Sequence, residues 1–180
     1  MLGVNVSNFA EFNFIFLSPY IFFAYNLTES QVATTMSVIA GVDLATRVMI
    51  PFVATRVGFQ NKTYYLIGTA FAAIGRLVIA HVETYSVIMT MSILLGIGRA
   101  LTIIFQALVV PTHVPLERLP AGWGIQMVTG GLIFLMLGPI IGWIRDAYGN
   151  YTSVLYFLDF LSGLTIASWT LQAWCCSEKR

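Results

Sequence analysis

Charged residues are scarce in this chain of 180 residues. They make up only 9% of the sequence, whereas 58% of its residues are hydrophobic and the mean hydropathy is +0.82. Soluble domains carry about 25% charged residues, because most of their surface is in contact with water and must be hydrated. In water this chain would expose apolar surface and aggregate, whereas in a bilayer the same surface matches its solvent. The composition therefore predicts an integral membrane protein.

Cysteine and histidine are almost absent as well. The two cysteines, Cys175 and Cys176, are adjacent, which excludes an ordinary disulfide framework. The two histidines, His81 and His113, both fall in predicted loops, so no buried Ser–His pair is available for an intramembrane protease. No His, Cys and carboxylate residues have metal-ligand spacing, and no glycine-rich phosphate loop is present. We therefore expect no enzyme activity, no cofactor and no metal.

Long apolar runs fill nearly the whole sequence. A membrane-spanning helix needs roughly 20 apolar residues, so a chain of this length has room for about six spans joined by short loops. The predicted fold class is all-α: a single six-helix transmembrane bundle over residues 1–180. The predicted spans are approximately 8–25, 31–57, 64–80, 85–110, 122–144 and 151–174.

The loops differ in their content of positive charge. With the amino terminus inside the cell, the cytoplasmic loops and tail hold five cations, and the three opposite loops hold only Arg145. Because short cytoplasmic loops are enriched in Lys and Arg, this bias predicts that both termini are cytoplasmic. The net charge of +1 gives no field that would attract nucleic acid. The five cytoplasmic cations are Arg56, Lys62, Arg118, Lys179 and Arg180.

Glycines are concentrated in the fourth and fifth predicted spans. Small residues let the backbones of neighbouring membrane helices approach closely, which is one interpretation of these positions. The other interpretation is a flexible point that bends during a functional cycle. The residues concerned are Gly96, Gly98, Gly124, Gly130, Gly131, Gly138 and Gly142.

Two opposite charges lie near the middle of the second predicted span. Asp43 and Arg47 are four residues apart, so their side chains project from one face of the helix. A charge at the centre of a membrane helix costs about 2.5 to 3.5 kcal/mol on insertion scales, so this pair is not expected to face lipid. Two interpretations stay open: an ion pair that only satisfies itself, or a binding site for a substrate or a proton.

The pair suits the binding of an organic acid. The guanidinium of Arg47 is a fixed positive fork that matches a carboxylate, so Arg47 is the predicted substrate-binding residue. Asp43 holds that guanidinium when the site is empty, and loses its partner when an anion takes it. Asp43 then binds a proton more readily, so proton and anion favour each other's binding. Asp43 is therefore the predicted proton-coupling residue.

Four further charged residues lie within predicted spans. We expect Arg76 and Arg99 to lie toward the outer ends of their spans, where long side chains reach the headgroups. Asp159 is a candidate partner for one of these arginines. Glu11 belongs to a polar stripe that either faces a cavity or marks an interfacial start.

The same residues carry a family resemblance. The stretch from Ser37 to Arg47 resembles the eighth helix of the monocarboxylate transporters, within the major facilitator superfamily. The resemblance implies that the family's proton-coupling aspartate and carboxylate-binding arginine fall on Asp43 and Arg47. Two further stretches agree: residues 116–119 resemble the loop before the family's eleventh helix, and residues 137–151, with Gly138, Pro139 and Asp146, resemble the pattern leading into its twelfth.

The resemblance covers nearly the whole chain, as helices seven to twelve. It implies the carboxy-terminal half, or a fragment, of a proton-coupled monocarboxylate symporter in the plasma membrane. Its implied partners are a small organic acid and a proton, the lipid bilayer, a second six-helix half and a single-span immunoglobulin-type chaperone. The family's first six helices, including a first-helix lysine that binds substrate, have no counterpart in the sequence. The alternative is a non-transporting membrane subunit or truncated isoform that keeps the fold.

Overall fold

The described residues form six α-helices. The computed structural model describes residues 2–57, 61–109 and 119–177, and within these ranges it contains no strand. Each helix contains most of one predicted span, and the all-α class is confirmed. The helices are α1 (Leu2–Ala24), α2 (Glu29–Val57), α3 (Asn61–His81), α4 (Tyr85–Val109), α5 (Leu119–Tyr148) and α6 (Tyr151–Ser177).

Four of the six helices are long and apolar enough to cross a membrane. They are Glu29–Phe52 within α2, α3, Tyr85–Leu108 within α4, and α5. Large apolar side chains also cover the outside of the bundle, with Leu135, Met136 and Trp143 on α5 all exposed. Such an exterior is stable against lipid tails and unstable in water.

The connection between α1 and α2 is fixed by local hydrogen bonds. Asn26 adopts a left-handed backbone with φ of 58°, and the amide of Leu27 donates to the carbonyl of Phe22 at 3.2 Å. The amide of Asn26 also donates to the carbonyl of Phe23, at 3.0 Å. The two bonds form a Schellman turn, which ends α1. Thr28 and Gln31 then exchange side-chain to backbone hydrogen bonds of 3.0 and 3.4 Å, a capping box that starts α2.

Two glycines allow α4 to pack closely on its neighbours. A Cβ atom added at Gly98 would lie 2.8 Å from the carbonyl oxygen of Gly68 on α3, and one added at Gly96 would lie 2.9 Å from that of Ile39 on α2. The interpretation as close packing therefore holds for α4. It fails on α5, where Cβ atoms at Gly124, Gly131, Gly138 and Gly142 would meet nothing within 4 Å and one at Gly130 would meet only Asn5, at 3.6 Å.

This contrast predicts how alanine substitutions behave. Gly98→Ala is expected to destabilise the protein by about 1–3 kcal/mol, because the new methyl group overlaps the backbone of α3. Gly124→Ala is the matched control and should leave stability unchanged or slightly raised, because alanine favours helix over glycine. Thermal unfolding of both variants in detergent measures the difference. Equal melting temperatures would contradict the packing assigned to Gly98.

Some predicted positions lie outside the described residues. These are His113, Arg118, Lys179, Arg180 and most of the 116–119 stretch. His81, which was predicted in a loop, is the last residue of α3.

Candidate functional site

Asp43 and Arg47 form the ion pair that their spacing predicts. The Nε and Nη2 atoms of Arg47 donate to the two carboxylate oxygens of Asp43, at 2.9 and 2.8 Å. Both residues lie well inside α2, and their separation of one helical turn aligns the guanidinium and the carboxylate edge to edge. The Asp43 side chain is 11% exposed and that of Arg47 is 36% exposed. The Asp43 side chain is therefore mostly enclosed, while that of Arg47 is partly exposed.

A second arginine faces the same carboxylate. Arg99 Nε lies 4.0 Å from Asp43 Oδ2, across the interface between α4 and α2. Gly96, one helical turn earlier on α4, packs against Ile39 and Val42 and so brings the two helices together next to Asp43. The prediction that Arg99 lies at the outer end of its span is wrong. Arg99 is near the middle of α4, too far from either end for its side chain to reach a headgroup.

The site formed by Asp43, Arg47 and Arg99 carries an excess of one positive charge, from two guanidiniums and one carboxylate. The Nε of Arg99 is buried and has no hydrogen-bond partner in the described part of the chain. A buried donor without a partner costs about 1–3 kcal/mol, and more when it is charged. This arrangement is electrostatically suited to a monovalent anion, which would supply both the missing charge and the missing acceptor.

Arg76 is the centre of a separate cluster between α1, α3 and α6. Its guanidinium donates to Asp159 Oδ1 at 2.8 Å, to Glu11 Oε1 at 2.7 Å and to Ser162 Oγ at 2.7 Å. The side chain of Arg76 is completely buried. The expectation that it extends to the headgroups is therefore wrong, because its acidic partners on the neighbouring helices hold it inside. Asp159 is confirmed as the partner of one of the two arginines.

Two cavities lie beside these charges. A small one of about 20 Å³, enough for roughly one water, has Glu11 and Arg99 in its wall together with Asn8. A larger one of about 430 Å³ lies between α1, α4 and α5, and shares Asn8, Phe12 and Ile103 with the first. Neither Asp43 nor Arg47 lines either cavity. Arg99 therefore connects the ion pair to this space.

The larger cavity is mostly apolar with a few amide groups. Phe12, Trp123 and Phe134 contribute aromatic walls, and Gln106 and Gln126 contribute polar groups. Pockets of this composition and volume are typical of small-molecule sites, in which apolar contacts hold a ligand and a few polar groups orient it.

Sequence reasoning underestimated Arg76 and Arg99 for one reason. The partners of both arginines lie on other helices, and tertiary packing decides which helices become neighbours. For Arg76, the partners Glu11 and Asp159 are 65 and 83 residues away in sequence. One local signal was available for Arg99. It directly follows Gly98, and a glycine that permits close helix contact places the next side chain near the interface.

Charged groups enclosed in a helical membrane bundle and next to a cavity are typical of membrane transport proteins. The comparisons with known proteins agree with this class. Human monocarboxylate transporter 6 is 30% identical over 158 residues, which is 81% of this chain and 29% of that protein. Mouse monocarboxylate transporter 12 is 22% identical over 149 residues, 82% of this chain and 30% of that protein. No family model matches the chain.

The chain is thus related to the monocarboxylate transporter family, and the resemblance that its motifs indicated is confirmed. It spans about three tenths of the length of the curated relatives it matches. These relatives are transporters, and the chain is an integral membrane protein.

Proposed function

We propose that this chain forms part of a carrier that moves a small monocarboxylate across the membrane together with a proton. The observation that carries the proposal is the geometry around Asp43. Its carboxylate is held edge to edge by Arg47, and Arg99 lies 4.0 Å away without a hydrogen bond at its Nε. One monovalent anion neutralises this site.

The anion first contacts Arg99, because that guanidinium borders the small cavity and its Nε is unpartnered. A planar carboxylate then competes with Asp43 for the fork of Arg47, since both present the same pair of oxygens. As Asp43 loses its contacts with the two guanidiniums, a proton takes their place on its carboxylate. Anion and proton therefore bind with positive coupling, and each raises the affinity for the other by the same factor.

The membrane arrangement belongs to the same proposal. All six helices cross the bilayer, both termini face the cytoplasm, and the protein resides in the plasma membrane. The chain corresponds to the carboxy-terminal half of a carrier and works with a second six-helix half, so that the substrate lies between the two. A single-span chaperone of the immunoglobulin type is a further proposed partner.

Uptake measurements test the proposed coupling. Cells that express the chain, alone and together with the amino-terminal half of human monocarboxylate transporter 6, are given labelled lactate or pyruvate at several external pH values. Acidic external pH is expected to stimulate uptake. Asp43→Asn should abolish that stimulation, because the amide keeps the size of the carboxyl group but cannot take up a proton.

Asp146→Asn is the matched control, since Asp146 is an exposed carboxylate near the end of α5. It should keep the pH dependence of the unmodified chain. Normal pH stimulation in Asp43→Asn would overturn the role of Asp43. Correctly inserted protein without anion uptake or binding in either combination would favour the alternative, a non-transporting membrane subunit.

A further inference from the structure

The cluster around Arg76 has the opposite charge imbalance to the site around Asp43. Glu11 and Asp159 both contact the single guanidinium of Arg76, so two carboxylates share one cation and the cluster has a net charge of −1. No other cation forms an ion pair with either carboxylate in the part of the chain that the structure describes. An uncompensated charge inside a protein is unfavourable, so groups in this position tend to change protonation instead.

One carboxylate oxygen in the cluster has no partner. Asp159 Oδ1 accepts from Arg76, but Asp159 Oδ2 is buried and accepts no hydrogen bond within the described ranges. Asp159 as a whole is only 9% exposed. A buried carboxylate oxygen without a donor is costly when ionised, because neither water nor protein stabilises its charge.

Glu11 connects this cluster to the site around Asp43. Its Oε1 accepts from Arg76, and the residue also lines the small cavity that Arg99 lines from α4. Arg99 and Glu11, of opposite charge, therefore border the same space, which holds roughly one water. With no anion bound, the excess charges of the two sites partly compensate each other.

We infer that Glu11, Arg76 and Asp159 form a proton-binding site of this chain, separate from Asp43, with Glu11 as the carboxylate that the proton reaches from the cavity. The cluster binds one proton, which brings its net charge to zero. When an anion binds Arg99, the cation that faced Glu11 is neutralised, and the cluster binds its proton more tightly. This second step rests on the proposed function; the proton site itself does not.

Charged and titratable groups on the neighbouring helices influence how tightly this cluster binds a proton. Arg76 and the phenol of Tyr65 face it from α3, and Arg99 faces Glu11 from α4. Glu11 and Asp159 both contact the guanidinium of Arg76. Asp43 on α2 lies 4.0 Å from Arg99, which lines the same small cavity as Glu11. A metal cation is a poorer occupant than a proton, because Arg76 already occupies the space between the two carboxylates.

Infrared difference spectroscopy on the purified chain in lipid tests the proton site directly. A step to lower pH, without any anion, is expected to produce the C=O stretching band of a protonated carboxyl group in a buried environment. Glu11→Gln and Asp159→Asn should each remove or shift this band, while both amides keep a carbonyl acceptor for Arg76. Asp43→Asn should leave the band in place. A band that survives in both cluster variants, or that only Asp43→Asn removes, overturns the proton site.

A second measurement in the same experiment tests the proton site and the proposed transport function independently. Lactate added at constant pH should increase the same band, and Arg99→Ala should abolish the lactate effect but not the response to pH. A pH response assigned to Glu11 or Asp159 without any lactate effect supports the proton site and overturns its coupling to an anion. A spectrum that requires sodium instead of the pH step overturns the proton as the ligand.

Discussion

Replacing Arg76 with alanine is expected to prevent the protein from folding or to lower its stability by about 3–5 kcal/mol. The substitution leaves Glu11 and Asp159 inside the bundle without their shared cation, and it also removes the donor to Ser162. The loss is larger than the direct contacts suggest, because the remaining charges are still buried. Expression level and thermal stability in detergent, followed by size-exclusion chromatography, measure the effect.

Arg56→Ala is the matched control, because Arg56 is exposed at the end of α2 and its removal should change stability little. A triple variant supplies the second comparison: Arg76→Met, Glu11→Gln and Asp159→Asn together remove all three charges. Replacing a buried ion cluster with neutral side chains is often tolerated, so the triple variant should recover much of the stability lost in Arg76→Ala. A single variant as stable as the unmodified chain would show that Arg76 does not hold the cluster together.

Replacing Arg47 with alanine is expected to reduce the apparent affinity for a monocarboxylate by about 10- to 150-fold. This range corresponds to the loss of charged hydrogen bonds worth about 1.5–3 kcal/mol. The fold should survive, because Asp43 keeps a cation in Arg99 at 4.0 Å. Concentration-dependent uptake measures the change, and a rise in KM larger than any fall in maximal rate is the expected signature of lost substrate binding.

Arg47→Lys separates charge from geometry at the same position. Lysine keeps the positive charge but lacks the planar fork, so it should restore only part of the affinity. Arg145→Ala is the control, since Arg145 is exposed near the end of α5. Unchanged affinity in Arg47→Ala would exclude Arg47 from the anion site and leave Arg99 as its main cation.

The two charged sites carry opposite excess charges, and this complementarity bears on the energetics of the proposed transport. The site around Asp43 has a net charge of +1 and the cluster around Arg76 has a net charge of −1, so the two sites together are neutral. In the proposed function one anion and one proton bind together, so the summed charge of the two sites stays at zero whether Asp43 or the cluster takes the proton. Such paired loading would avoid the cost of moving an uncompensated charge through the membrane.

Much of the fold and one ion pair could be predicted from the sequence alone. Apolar runs of about 20 residues determine helices in a membrane, because every backbone polar group must be satisfied within the segment. The ion pair of Asp43 and Arg47 could also be predicted, because a spacing of four residues on a helix brings the two side chains together before any tertiary contact forms. Six helical segments and one ion pair are local properties of the chain.

Tertiary structure decided the remaining contacts. The position of Arg99 beside Asp43 depends on the close approach of α4 to α2 at Gly96. The cluster around Arg76 requires α1, α3 and α6 to meet, and no periodicity along a single helix specifies which helices become neighbours. Sequence determines where a charge lies along its helix. Only the packing of helices determines which opposite charge it meets, because those partners are separated by many residues and brought together by steric fit.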